Sequence, residues 1–131
     1  MARLSVSYLK EFFAPGNIIT PALFHDLLDT VMDNAPPTTL TISAGVVTRT
    51  QRCHRLETEG AAVSDDLVTI NGYENGQEIF LILNNSAHAV TVKSTGNISV
   101  ATDCALSAYT SFLWLFYNSL NSKWVEILRS A

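Results

Sequence analysis

The chemistry-bearing residues of this chain are few. The acidic cluster is Asp65-Asp66, with Glu57 and Glu59 just upstream. Paired carboxylates can hold calcium or act as acid and base at a glycosidic bond. Neighbouring residues on a strand point to opposite faces, however, and no D-x-D-x-D-G loop is present, so the pair reads as a solvated loop. His25, His54 and His88 fall outside H-x-H, H-E-x-x-H and H-x-x-x-H spacing, which argues against a metal site within one chain. A threefold axis could gather three copies of His54, beside Cys53, but a structural histidine with its hydrogen bonds satisfied is the plainer role. Cys53-His54 is no dyad by adjacency, because nucleophile and base must converge in space. No G-x-S-x-G, G-x-G-x-x-G or G-x-x-x-x-G-K-[ST] occurs. Trp114, Tyr117 and Trp124 could stack on sugars, yet they sit in apolar strand patterns that read as core. The expectation is a non-enzymatic protein without cofactor or metal.

Cys53 and Cys104 lack Cys-x-x-Cys partners. They read as two buried free thiols. The alternative is a disulfide between strands or between subunits, formed in an oxidising medium.

Two unlike segments must position these residues. The first, 1–37, is a helical head. Ser5 or Ser7 can cap a short helix through Phe13, and Pro15-Gly16-Asn17 forces a turn. Thr20-Pro21 opens a second helix, with Thr as cap and Pro at the first helical position. Leu23, Phe24, Leu27, Leu28 and Val31 make one apolar stripe along it. Asn34 and Pro36-Pro37 end it near Asp33. Helices this short bury little alone, so the stripe needs a core, a symmetry mate or a foreign surface to cover it.

From 38 to 131 the period changes to two. Strands are expected over 39–43, 46–48, 52–57, 67–71, 77–83, 88–93, 97–101, 105–109, 111–117 and 123–128. Asn71-Gly72, Asn75-Gly76, Asn84-Asn85 and Gly96-Asn97 punctuate them with residues that tolerate positive φ. Many short strands with turn signals about every ten residues predict a mainly β fold, an antiparallel, jelly-roll-like β-sandwich or barrel. Strands 79–83 and 112–117 are apolar on both faces, which suits the middle of a sandwich or a subunit interface.

Charged residues are only 15% of the 131 positions, against about a quarter in ordinary domains. A small chain exposes much of its surface. The deficit therefore implies a hydroxyl- and amide-rich surface, burial against other copies in a symmetric homo-oligomer, or both. The net charge is −4 and no basic run reaches three residues, which excludes counterion-release binding to nucleic acid. The longest apolar run, 112–117, is far short of a membrane span of ~20 residues. With no secretory signal at Met1-Ala2-Arg3, the expectation is a protein made in the cytoplasm that stays there or leaves by another route.

Several motifs, taken in order, resemble the β-domain of tailed-bacteriophage virion proteins. They are Leu56-Glu57-Thr58-Glu59-Gly60, the run from Ser64 to Gly72, Asn75-Gly76-Gln77-Glu78-Ile79-Phe80-Leu81, Val90-Thr91-Val92-Lys93, Gly96-Asn97-Ile98, and the ending Leu113–Asn118 with Lys123–Ile127. The run Gly16 to Leu28 resembles the N-terminal attachment segment of phage fibre proteins. The resemblance implies a homotrimer in the virion, assembled in the bacterial host cytoplasm, with 1–37 as attachment segment and 38–131 as trimerisation domain. It implies the major capsid protein or another virion protein as partner, gripped through Phe12, Phe13, Ile18, Ile19, Leu23, Phe24, Leu27, Leu28 and Val31. It brings no active site. A collagen-like repeat, long coiled coil and distal receptor-binding head are all missing, which favours capsid decoration or a head fibre. A tail-fibre or baseplate adaptor comes second. A glycan-binding module is the rival from another class, and would need Trp114, Tyr117 or Trp124 exposed.

Overall fold

The computed structural model describes residues 16, 20–22, 24, 25 and 36–130, and the chain divides into two compact units, Met1–Pro36 and Pro37–Ala131. In the first unit, Pro21, Ala22, Phe24 and His25 are helical, and Phe24 N–H donates to Thr20 O at 3.0 Å. That bond is the first turn that a Thr-Pro start sets up. The rest of the expected helices lies outside the described residues. So do the anchoring residues Phe12, Phe13, Ile18, Ile19, Leu23, Leu27, Leu28 and Val31. Phe24 is described and half exposed.

The second unit is mainly β. In chain order its strands are β1 (Thr38–Thr41), β2 (Val46–Thr48), β3 (Cys53–Glu57), β4 (Ser64–Leu67), β5 (Thr69–Asn71), β6 (Glu78–Leu83), β7 (Ala89–Val92), β8 (Ile98–Ser99), β9 (Cys104–Leu106), β10 (Phe112–Asn118) and β11 (Lys123–Ser130). The expected strand positions hold almost throughout. The exception is β4, where Asp65-Asp66 lies on a strand rather than in a solvated loop.

The pairing corrects the antiparallel sandwich. β1 pairs β3, β3 pairs β6, β2 pairs β5 and β4 pairs β7, all parallel. The chain winds in rungs, each laying its strands on those of the rung before, which is the path of a short β-solenoid. Ile70 and Asn97 meet across a separation of 27 residues, a little more than one rung of chain. One side is a six-stranded sheet in the order β1-β3-β6-β10-β11-β8, a second is β4-β7-β9, and the third is β2-β5. The parallel stack ends where the chain reverses. β9 runs antiparallel to β7, β10 is antiparallel to β6, and β11 folds back on β10 before pairing β8 in parallel.

The alternation read in the sequence sets what faces inward. β6 and β10 bury every second residue, putting Ile79, Leu81, Leu83, Leu113, Leu115 and Tyr117 inside with Leu56, Leu67, Ile70, Val90, Val92 and Trp124. Each fully buried aliphatic contributes about 1.5–3 kcal/mol. Where β8 does not continue the β2-β5 side, a side chain takes over. Asn97 Oδ1 accepts from Ile70 N–H at 2.9 Å and Asn97 Nδ2 donates to Ile70 O at 2.7 Å, as a neighbouring backbone would. Trp124 Nε1–H donates to the same carbonyl at 3.0 Å. Trp124→Phe keeps an aromatic ring but drops that bond and leaves the space of the pyrrole half empty inside the core, and is expected to cost at least about 1–2 kcal/mol in a urea melt.

Asn71-Gly72 and Gly96-Asn97, read as turns between strands, are corners of the rungs. A Cβ on Gly72 would sit 2.3 Å from Arg49 O, and one on Gly96 would sit 2.4 Å from Val68 O. Both residues have positive φ. The rungs stack so closely at these corners that only glycine fits.

Candidate assembly surface

Strands apolar on both faces put one set of side chains in the core and the other on the outside of the six-stranded sheet. The register brings the outer set together. Phe80 on β6 lies beside Trp114 on β10 and Cys53 on β3, and Trp114 also lies beside Leu128 on β11. Phe112 pairs Ile82, and Phe116 pairs Val125. Residues directly opposite in register share a face. Phe80 stacks on Phe112 with centroids 5.3 Å apart, and Trp114 tilts against Phe80 at 6.5 Å. The Arg52 guanidinium lies 5.8 Å from the Trp114 ring centroid, and Arg52 Nε is 3.1 Å from Glu78 Oε2. The aromatic row is half-buried, while Ile127 and Leu128 beside it are 43% and 54% exposed. Trp114 Nε1 is buried with no hydrogen-bond partner among the described residues. Buried indole N–H groups are ordinarily bonded. The sequence flagged these two strands. It did not flag Leu128 or Arg52, because their place on the face depends on pairing across the sheet.

The sequence's other chemical candidates are dispersed or structural. Cys53 and His54, consecutive on β3, fall on opposite faces: Cys53 is half-buried and His54 fully buried. His54 Nε2 accepts from Thr50 N–H at 3.1 Å and Gln51 N–H at 3.2 Å. Nδ1 therefore carries the proton and faces Thr38, with Oγ1 at 3.0 Å and the carbonyl at 3.3 Å. His54 ties the first two rungs together inside the fold. Cys53 and Cys104 are free thiols, and burial pushes the Cys104 thiol up. Asp65 does not combine with Asp66 as a ligand pair: Asp65 Oδ2 accepts from Glu59 N–H at 2.8 Å and Oδ1 from Asp66 N–H at 2.8 Å. No group of three or more His, Cys, Asp or Glu side chains suited to a metal occurs among the described residues. Trp124 and Tyr117 are core residues, so of the proposed sugar-stacking rings Trp114 alone reaches the surface.

Glu57 collects bonds from three directions. Asn84 Nδ2 donates to Oε2 at 2.8 Å, His88 Nδ1 lies 2.7 Å from Oε1, and Thr58 N–H donates to Oε1 at 2.9 Å. The Asn84 amide first, then His88 and the Thr58 N–H, hold the Glu57 carboxyl below its ordinary range against the opposing effect of burial. Glu126 is likewise held low by Arg129, whose Nε donates to Oε1 at 2.6 Å and whose Nη2 donates to Oε2 at 2.8 Å. A carboxylate held low stabilises the fold above its unfolded value and loses that contribution as pH falls through the folded one. Urea midpoints are expected to stay flat down to about pH 4.5, the ordinary glutamate value, and to fall below it. Glu57→Gln should lower the plateau and shallow the acid slope. An unchanged slope would remove Glu57 from the account.

No protein-family model and no curated protein matches the chain.

Proposed function

We propose that this chain is a non-enzymatic structural subunit of a tailed-phage particle. Its β-unit associates with other copies as a homotrimer, and its N-terminal segment docks on the major capsid protein or another virion protein. The observation that carries the reading is the outer face of the six-stranded sheet. Phe80, Phe112, Trp114, Phe116 and Leu128 form a continuous apolar row there, in a chain with unusually few charges. Apolar patches of that kind, with aromatics and an Arg at the centre, are typical of protein–protein contacts. Burying the row against another copy offsets the exposure that a monomer would leave. A solenoid grows along one axis by adding rungs, which suits a projection from a particle. Many copies with modest individual contacts suffice for attachment, since multivalency multiplies them.

Light scattering of the purified chain, with and without reductant, is the first test. A mass near three protomers in both conditions is expected. Trp114→Glu with Leu128→Glu places charge on the outer face without touching the core, and should give a folded species of 14.3 kDa. A wild-type chain that is already monomeric overturns the assembly reading. Deleting residues 1–34 should leave an oligomer that no longer binds particles. If the truncated chain still decorated them, the attachment role would move elsewhere.

A further inference from the structure

The last strand breaks the alternation that the rest of its sheet keeps. Phe112, Leu113 and Trp114 on β10 lie opposite Ser130, Arg129 and Leu128, and the run from Leu115 to Asn118 lies opposite Glu126 to Lys123. Ile127 falls between the two runs and has no register partner. One extra residue on one strand of a pair is a β-bulge. Its effect shows in Glu126 and Arg129. Residues three apart on a regular strand face opposite ways. These two lie opposite Leu115 and Leu113, both core residues, and so share the inner face. There Arg129 Nε donates to Glu126 Oε1 at 2.6 Å. The pair also holds the loop after β8, with Ala101 N–H donating to Glu126 Oε2 at 3.0 Å and Arg129 Nη2 to Thr102 O at 2.7 Å.

The bulge inverts what burial favours. Without it, the alternation that puts Val125 outward would carry Glu126 inward, Ile127 outward, Leu128 inward and Arg129 outward. With it, the two charges line the inner side, and the two apolar residues between them are both exposed, Ile127 by 43% and Leu128 by 54%. Beyond Val125, β11 has β10 as its single neighbour in the sheet, and bulges are common at such edges. Edge protection accounts for the kink. It does not account for the side chains, because edges are blunted with charge or proline and this one carries Ile and Leu. Leu128 lies opposite Trp114, so the two residues prolong the apolar row of the outer face. Like charges brought together between two copies would oppose association. Here the flanking charges cancel each other and are turned away from the row.

We propose that the β11 bulge builds the central contact between copies of this chain: it turns Ile127 and Leu128 outward together, and a second copy buries them. The inference rests on the assembly reading and adds the element that makes the contact.

The test is sedimentation velocity of the full chain over a dilution series, with urea melts taken where every species is monomeric. Deleting Ile127 removes the bulge and leaves the partners of Trp114 and Leu115 as they are. Ile127→Ser keeps the extra residue and removes its apolar side chain. Each change is expected to raise the dissociation constant of the oligomer at least tenfold while the urea midpoint of the monomer stays as in the wild type. Val63→Ser, at an apolar residue that is 80% exposed just before β4, should associate as the wild type does. Methyl NMR of the unsubstituted chain gives a reading that needs no variant. The Ile127 and Leu128 methyls should lose access to a soluble paramagnetic probe as the chain assembles. If the wild type is oligomeric and either Ile127 variant, correctly folded, associates as tightly, the proposal is overturned and the assembly reading stands. Methyls that stay as accessible in the oligomer as in the dilute chain have the same meaning. A wild type that is monomeric at every concentration overturns both.

Discussion

His54→Ala is expected to destabilise the β-unit by about 3–5 kcal/mol. The imidazole is fully buried, and the substitution acts twice. It removes the Nε2 acceptor that the Thr50 and Gln51 N–H groups share in the native fold. The Gln51 bond is buried, and an unmet buried donor costs about 1–3 kcal/mol. It also opens a cavity between rungs, which adds a further penalty that grows with the volume left empty. At roughly 4–8 °C per kcal/mol for a unit of this size, the melting temperature should fall by more than about 12 °C. His54→Gln retains an acceptor and much of the volume, and should recover part of the loss. A loss below about 1 kcal/mol for the alanine variant would mean that the two N–H groups find other partners, and the tie between rungs would be incidental.

Gly72→Ala should cost about 2–5 kcal/mol, and its partner experiment separates the causes. Gly72 and Gly76 both have positive φ, 76° and 78°. A Cβ at Gly76 meets nothing within 4 Å, whereas at Gly72 it would lie 2.3 Å from Arg49 O. Gly76→Ala therefore reports the conformational cost of the left-handed region alone, about 1–2 kcal/mol. Gly72→Ala adds overpacking against backbone, typically a further 1–3 kcal/mol. Arg49 cannot yield freely, because its N–H donates to Asn71 O at 2.8 Å in the same corner. Equal urea midpoints for the two variants would show that the rungs have slack at this corner.

The positions of the strands were legible because alternation is a local signal: Glu78–Leu83 and Phe112–Asn118 each bury every second residue, as their sequences say. The pairing was not legible, because a corner and a hairpin use the same residues. Asn71-Gly72 reverses the chain in a hairpin and merely bends it in a rung, and what decides is whether the next strand lies beside this one or a rung further on. Asp65 and Asp66 read as loop because neighbouring strand residues face opposite ways, which left the pair no shared ligand to hold. They are tolerated on β4, at the edge of its sheet, where Asp65 is occupied with the Glu59 and Asp66 N–H groups. The assembly surface was half legible. Strands apolar on both faces pointed to a second burial, but the neighbours of Trp114 come from β3, β6 and β11 together.

The order of the six-stranded sheet bears on how the chain comes into being. β8 pairs with β11 alone within that sheet, so the third rung is closed by a strand that is made well after it. During synthesis, β1, β3 and β6 can lay down one on another as each emerges. β6 then waits with an unpaired edge of alternating Ile, Leu and Phe until β10 arrives. That edge is the hazard of an unfinished sheet, a template for pairing with another nascent chain. Translation rate through β10 and β11, or cleavage by a protease within β11, should therefore govern the yield of soluble protein more strongly than any change in the first rung.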